Sequence, residues 1–304
     1  MAISYLFPGQ GSQSVGMGKD LYESYPAAKE VFDRADEALN TRLSKLCFEG
    51  PEEELKQTVN AQPAILVVSL AYLKAYESLG LTLGNDRPLY TAGHSLGEYT
   101  ALVASNAIDL ETAVRLVRER GRLMQQASLA QPGGMAAILG LTEYVCEEVC
   151  IQTGAQIANI NSQEQIVISG SKEALVRAMD LAKARGAKRA IPLEVSGAFH
   201  SELMRSASDG LASAIASLPL RDPEFPIVAN CTAKPMKAEQ DLKLELAHQL
   251  CRCVRWHDSI EYMVDAGVST FIELGPGRVL SGLLKRLDRT VEAINAAEAL
   301  KGGY

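Results

Sequence analysis

The sequence predicts an α/β protein, a mainly parallel sheet covered by helices with a smaller α/β unit inserted into it. Three observations carry that expectation. Strand-like segments at 3–7, 88–93, 225–230 and 270–274 alternate with helical stretches at 63–79, 110–128, 201–217 and 278–287. This is the rhythm of a sheet with helices on both faces. In the middle of the chain the rhythm changes to β-α-β-β-α-β. Finally, the 304 residues are 47% hydrophobic and 22% charged, enough apolar material for a sizeable core.

The first strand runs into "FPGQGSQSVGMGK", a glycine-rich turn that invites a nucleotide reading. A P-loop needs G-x-x-x-x-G-K-[ST], but Gly11 and Gly16 are followed by Met17 and Gly18. A dinucleotide fingerprint starting at Gly9 needs glycine or alanine where Ser14 stands. Both fail. What remains is either a structural turn or a loop whose backbone N–H groups near Gln10 approach a neighbouring strand end.

That neighbour is "PLYTAG" (88–93), which runs into Gly93-His94-Ser95-Leu96-Gly97 and then into an apolar helix. G-x-S-x-G between strand and helix is the nucleophile-elbow pattern. The turn lifts the serine off the sheet end, and the helix N-terminus offers N–H groups to a forming oxyanion. A plain tight turn is the competing reading.

In the next helix Leu110, Ala113, Val114, Leu116, Val117, Leu123, Met124 and Ala127 form one apolar stripe. Arg115, Arg118, Glu119 and Arg122 fall on the opposite, solvated face, whereas Arg120 falls on the stripe. A charge there needs an anionic partner, either a carboxylate of the chain or one of a substrate.

After "LAQPGG" (129–134) come strand "MAAILGL", helix "TEYVCEEVCIQT", strands "AQIANIN" and "EQIVISG", helix "KEALVRAMDLAKARG" and strand "AKRAIPLEV". This is the split βαβ order of a ferredoxin-like unit. Residues 131–194 are therefore expected as a small domain inserted into a large one made of 1–130 and 195–304, with a cleft between them.

A nucleophilic serine needs a base, and the chain has four histidines. His94 adjoins Ser95 and is expected to point away from the reacting face. His248 and His257 are expected on polar helical faces. His200, in "EVSGAFHSELM", sits on a loop between strand and helix, with Ser201 placed to cap the helix. It is the best candidate base.

Net charge is −7 with Lys and Arg scattered, so no nucleic-acid groove is expected. The N-terminus lacks a signal-peptide pattern, and no apolar run is long enough to span a membrane. Cys146 and Cys150 lie four apart, and Cys251-x-Cys253 lacks C-x-x-C or histidine partners, so buried free thiols are expected, with no metal site. The expected compartment is the cytoplasm.

Together, "FPGQGSQ", "AGHSLGEYTALV", "RERGRLMQQA", "IANINSQEQIVISG", "AFHSELM", "VANCTAKP" and "ELGPGRVLSGLLKR" occur in an order that resembles the malonyl-CoA:acyl-carrier-protein transacylases. The resemblance runs from about residue 5 to residue 287. It implies an α/β-hydrolase-like large domain with a ferredoxin-like insertion. It also implies ping-pong transfer of malonyl from coenzyme A, through a serine ester, to the phosphopantetheine thiol of acyl carrier protein, in fatty-acid or polyketide synthesis. No bound cofactor, no metal, no membrane and a monomer are expected.

Carried over by motif, Ser95 is the nucleophile and His200 the general base. The backbone N–H groups of Gln10 and Leu96 form the oxyanion hole, and Arg120 binds the malonyl carboxylate. The Gln249 carbonyl orients the histidine, and Phe199 resembles malonyl-selective members. Where relatives commonly have Asn-Pro or Ser-Pro before "VRW", this chain reads Cys251-Arg252-Cys253, which implies a freer loop. A serine hydrolase or thioesterase would share Ser95 and His200 but pass the acyl group to water; Arg120 argues against a neutral-acyl version. A binding module would need no aligned serine and histidine. Lys188, Arg189, Lys285 and Arg286 are candidate landing residues for an acidic carrier.

Overall fold

A computed structural model describes residues 2–80 and 87–301. The outer limits drawn for the large domain, residue 1 and residues 302–304, lie outside the described residues. Among the described residues ten strands form two sheets. In chain order they are β1 (Ala2–Phe7), β2 (Tyr90–Gly93), β3 (Gly133–Leu139), β4 (Gln156–Ser162) and β5 (Gln165–Ser171), then β6 (Arg189–Pro192), β7 (Ile227–Val228), β8 (Pro235–Met236), β9 (Val268–Glu273) and β10 (Glu292–Asn295).

The larger sheet has the order β10-β9-β1-β2-β7-β8 and is parallel except for the β7–β8 pair. Its central strand "AISYLF" is apolar almost throughout, as expected where both faces are covered. Ile3, Tyr5 and Phe7 join a core with the Thr58–Ser78 and Leu110–Ala130 helices. Leu6 on the other face packs with Ala92, Val228, Trp256 and Phe271. Each large apolar side chain so buried stabilises the fold by roughly 1.5–3 kcal/mol.

The first of those helices begins earlier than the expected residue 63. Pro63 sits in its second turn rather than at its start. A proline there forfeits one backbone hydrogen bond, and nearly complete burial of the helix outweighs that loss. Strands β8 and β10 were not expected; β8 has two residues and β10 four, too short for a periodic signal.

The smaller sheet has the order β4-β5-β3-β6, all antiparallel, with helices Glu143–Thr153 and Lys172–Ala184. Strand alternation divides its residues between two faces. Ala136, Ile138, Ile166 and Ile168 pack under those helices, while Met135, Ala137 and Val167 join the core of the larger sheet. The second face therefore closes onto the end of the larger sheet where Ser95 stands.

The segment before Trp256 is not free despite lacking the proline. Val254 N–H donates to the Ala158 carbonyl at 2.8 Å, Ile160 N–H to the Val254 carbonyl at 2.9 Å, and Arg255 N–H to the Asn230 carbonyl at 2.8 Å. Pairing with the edge of β4 supplies the constraint that proline was expected to give.

Candidate active site

The tips of β1 and β2 are pressed together by three glycines. A Cβ on Gly97 would land on the Phe7 carbonyl, one on Gly93 on the Gly97 backbone, and one on Gly9 on the His94 carbonyl. Only hydrogen fits at these contacts. The elbow between them puts Ser95 in left-handed conformation, φ 51°, a strained position for a non-glycine residue. Asn230 holds that strain. Its side-chain oxygen accepts from Ser95 N–H at 2.7 Å, and its amide nitrogen donates to the Gly93 carbonyl at 2.7 Å.

Ser95 and His200, 105 positions apart, meet at 2.8 Å between Oγ and Nε2. His200 is also left-handed, φ 56°, at the end of the loop after β6. Its Nδ1 donates to the Gln249 carbonyl at 2.9 Å and lies 3.2 Å from the Arg252 carbonyl. This leaves Nε2 as the acceptor toward Ser95. Burial, and then the nearby Arg120 charge, push the imidazole down from 6.5 to about 3.

Arg120 is 1% exposed, as its helical phase required. One terminal nitrogen donates to Gln62 Oε1 at 2.8 Å; the other donates to Gln249 Oε1 at 2.9 Å and Ser95 Oγ at 3.2 Å. The guanidinium stands over the Tyr99 ring, 5.1 Å from its centre. Its Nε has no partner, and among the described residues no carboxylate forms an ion pair with it. Arg118, expected in solvent, is half-buried and donates to Asn60 Oδ1 at 2.7 Å.

The Gln10 and Leu96 backbone N–H groups donate to no group among the described residues. Gln10 is tied by its side chain to Thr58 Oγ1 at 3.3 Å. Gln10, Ser95, Phe199 and His200 line a cleft of about 920 Å³, with Met135 and Val167 of the smaller sheet opposite.

Two expectations need correction. His94 does not turn away: it lines the same cleft, with Nε2 2.9 Å from Asn161 Oδ1 and its ring beside Trp256. Side-chain alternation fails once Ser95 leaves extended conformation. Ser201 does not cap a helix; its hydroxyl donates back to the Ala198 carbonyl at 2.6 Å, tightening the loop that carries His200. His248 and His257 are half-buried and lie outside the cleft. His257 Nδ1 has no partner, and with Asp258 and Glu261 it forms a cluster close enough for a cation, though Asp258 is paired with Arg255. All six cysteines are free thiols, four of them buried.

Lys188, Arg189 and Arg286 line a depression beside the cleft, and Arg286 borders both; Lys285 borders neither. Among the buried residues that sequence reasoning missed are Glu98 and Asn230. A glutamate in the first turn of an otherwise apolar helix was the available signal for the first; the second had none beyond its place in "VANC".

An acyl transferase domain pattern matches residues 4–301. The malonyl CoA-acyl carrier protein transacylase of Bacillus subtilis is 49% identical, over 97% of this chain and 93% of its own length. That of Escherichia coli K12 is 43% identical, over 98% and 97%. The crystal structure of an acyl carrier protein S-malonyltransferase from Vibrio cholerae superposes with a TM-score of 0.94 at 41% identity, covering 99% of this chain and all of that one. A solved complex of a type II PKS acyl-carrier protein with its malonyl-transacylase aligns at 0.93 and 39%, covering both chains fully. Likeness of this extent, in sequence and in backbone, places the chain in the acyl transferase domain family, among the malonyl CoA-acyl carrier protein transacylases.

Proposed function

We propose that the protein transfers malonyl from malonyl-CoA to the phosphopantetheine thiol of acyl carrier protein through an ester on Ser95, supplying units for fatty-acid or polyketide chain extension. The observation that carries this reading is the meeting of three groups. Ser95 Oγ lies 2.8 Å from the His200 imidazole and 3.2 Å from the Arg120 guanidinium, which is paired with no carboxylate among the described residues. A buried cation without an anion is costly, and a dicarboxylic acyl group supplies the anion.

In the first half-reaction His200 Nε2 takes the Ser95 proton as Oγ attacks the thioester carbonyl. The Gln10 and Leu96 N–H groups stabilise the oxyanion. Collapse breaks the C–S bond, and the coenzyme A thiolate takes the proton from His200. In the second, His200 takes the proton of the carrier's thiol. The resulting thiolate attacks the ester, and Ser95 leaves with the proton returned. The Gln249 carbonyl holds His200 in the tautomer both halves need. Each step uses only groups of the chain and its two thioester partners, so the reading includes no cofactor or metal. It places the enzyme in the cytoplasm, and it treats 131–194 as a small domain closing over a large one of 1–130 and 195–304.

Incubation with malonyl-CoA alone should add one malonyl group to the peptide that contains Ser95, seen by mass spectrometry, and Ser95→Ala should stay unlabelled. Labelling elsewhere in a Ser95→Ala protein that still transfers would end the covalent reading. Hydrolysis of the ester faster than its transfer to a carrier would favour a thioesterase instead.

A further inference from the structure

Glu98 lies one turn beyond Ser95, is 0% exposed, and has no part in the chemistry described above. Every group that meets its carboxylate is a donor. Oε1 accepts from Asn230 N–H at 2.8 Å and from Asn230 Nδ2 at 3.1 Å; Oε2 accepts from Gln249 Nε2. A carboxylate fits this cage. A carboxamide does not, because one of its ends must turn N–H groups toward another donor.

The Gln249 side chain, also 0% exposed, stands between Glu98 and Arg120. Its Nε2 donates to Glu98 and, at 3.0 Å, to the Ser95 carbonyl, while its Oε1 accepts from Arg120 at 2.9 Å. A carboxylate on one side and a guanidinium on the other permit a single orientation of this amide. Flipping it would set oxygen against oxygen and N–H against N–H. The backbone carbonyl of the same residue receives His200 Nδ1 at 2.9 Å. The second arm of Glu98 runs through Asn230, which receives the Ser95 N–H at 2.7 Å.

We propose that Glu98 is a positioning residue for acyl transfer, its buried carboxylate locking the Gln249 amide so that one residue sets Ser95, His200 and Arg120 in register. The interposed amide has a second consequence. It keeps Glu98 out of direct contact with Arg120, so the guanidinium is not consumed by a salt bridge within the protein and remains open to an anionic acyl group. The proposal rests on the serine-ester reading above. The other buried acid nearby, Glu245, meets the Cys231 N–H instead of Gln249.

Single-turnover labelling of Ser95 by malonyl-CoA tests this in the full chain. Glu98→Gln should lower the acylation rate about 10- to 100-fold, the range for misplacing a catalytic group by roughly an ångström. KM for malonyl-CoA should change far less than in Arg120→Ala, because the guanidinium itself is still present. Glu245→Gln, which removes a buried carboxylate without touching Gln249, should leave the rate near wild type. In a Gln249→Ala background Glu98→Gln should cost less than it does in wild type, since the arm through Gln249 is gone and only the Asn230 arm is left to disturb. Should Glu98→Gln not fold, Glu98→Asp withdraws the carboxylate by one methylene and should show the same loss of rate with a similarly small change in KM. A folded Glu98 variant with wild-type acylation, or full additivity with Gln249→Ala, overturns the proposal. If the wild-type protein itself is not acylated at Ser95, the underlying reading falls instead.

Discussion

At the scale of the residue, the proposed function makes Arg120 the selector of the acyl group. A charged hydrogen bond contributes roughly 1.5–3 kcal/mol, and an unpaired buried charge costs more. Acetyl-CoA should therefore be a poor donor, as it leaves the guanidinium without its anion. Arg120→Ala should lose malonyl transfer steeply while gaining relative activity toward acetyl, and Arg120→Lys should recover only part, lacking the planar fork. The malonyl-to-acetyl ratio of kcat/KM reads this directly; an unchanged ratio in folded Arg120→Ala would make the arginine structural.

The same charge governs the base. Arg120 is the second cause, after burial, of the low basicity of His200, held near 3. A malonyl carboxylate on Arg120 offsets that charge and makes the imidazolium easier to form. Since kcat reports the complex and kcat/KM the free enzyme, the acid limb for kcat should lie at higher pH than that for kcat/KM. With acetyl-CoA the two limbs should coincide, and coincidence with malonyl-CoA would contradict the argument. Stability follows from the same shift. The unfolded histidine binds its proton near 6.5 and the folded one only near 3, so neutral burial costs nothing above 6.5 and stability is lost progressively as pH falls toward 3. Thermal melts of wild type minus His200→Gln should isolate that slope.

At the scale of the element, the site depends on how closely two strand tips approach. Gly97→Ala forces its Cβ onto the Phe7 carbonyl, a backbone atom that cannot rotate away. Ser95 acylation should fall by about 10²-fold or more, with lower thermal stability. Gly282, exposed in the Val279–Leu287 helix with open space around it, is the contrasting position. Gly282→Ala should raise stability by up to about 1 kcal/mol, since alanine loses less backbone freedom there. Wild-type labelling in Gly97→Ala would show that the tight approach is dispensable. Elements of this kind were legible because local pattern determines them. The strand–glycine–serine–glycine–helix order marks the elbow, helical phase alone buries Arg120, and β3 to β6 appear in their expected order within a few residues. What escaped reading depends on distant partners. Glu98 is polar in an apolar helix until Asn230 and Gln249, more than 130 positions away, are seen around it. His94 was misread because alternation assumes extended backbone, and the elbow is not extended.

At the scale of the whole molecule, an enzyme of net charge −7 receives, on the proposed reading, a carrier protein expected to be acidic. Local arrangement has to overcome the overall repulsion, which acts at longer range and is screened beyond about 8–10 Å at physiological salt. Lys188, Arg189 and Arg286 come together from β6, its preceding turn and the last turn of the Val279–Leu287 helix, at the depression beside the cleft. They are not equivalent. Lys188 is already paired with Glu164 at 3.0 Å, whereas Arg189 is exposed without an ion-pair partner among the described residues. Arg286 borders the cleft as well, so on the proposed reading it stands beside the path of coenzyme A. Arg189→Glu should accordingly raise KM for the carrier and leave acylation by malonyl-CoA intact. Arg286→Glu should slow both half-reactions, and Lys285→Glu, which borders neither depression nor cleft, should do little. Measuring the two half-reactions separately distinguishes these outcomes. If Arg189→Glu and Lys285→Glu have equal effects on the carrier KM, the carrier is not landing on this depression, and attraction to scattered surface charge is the better account.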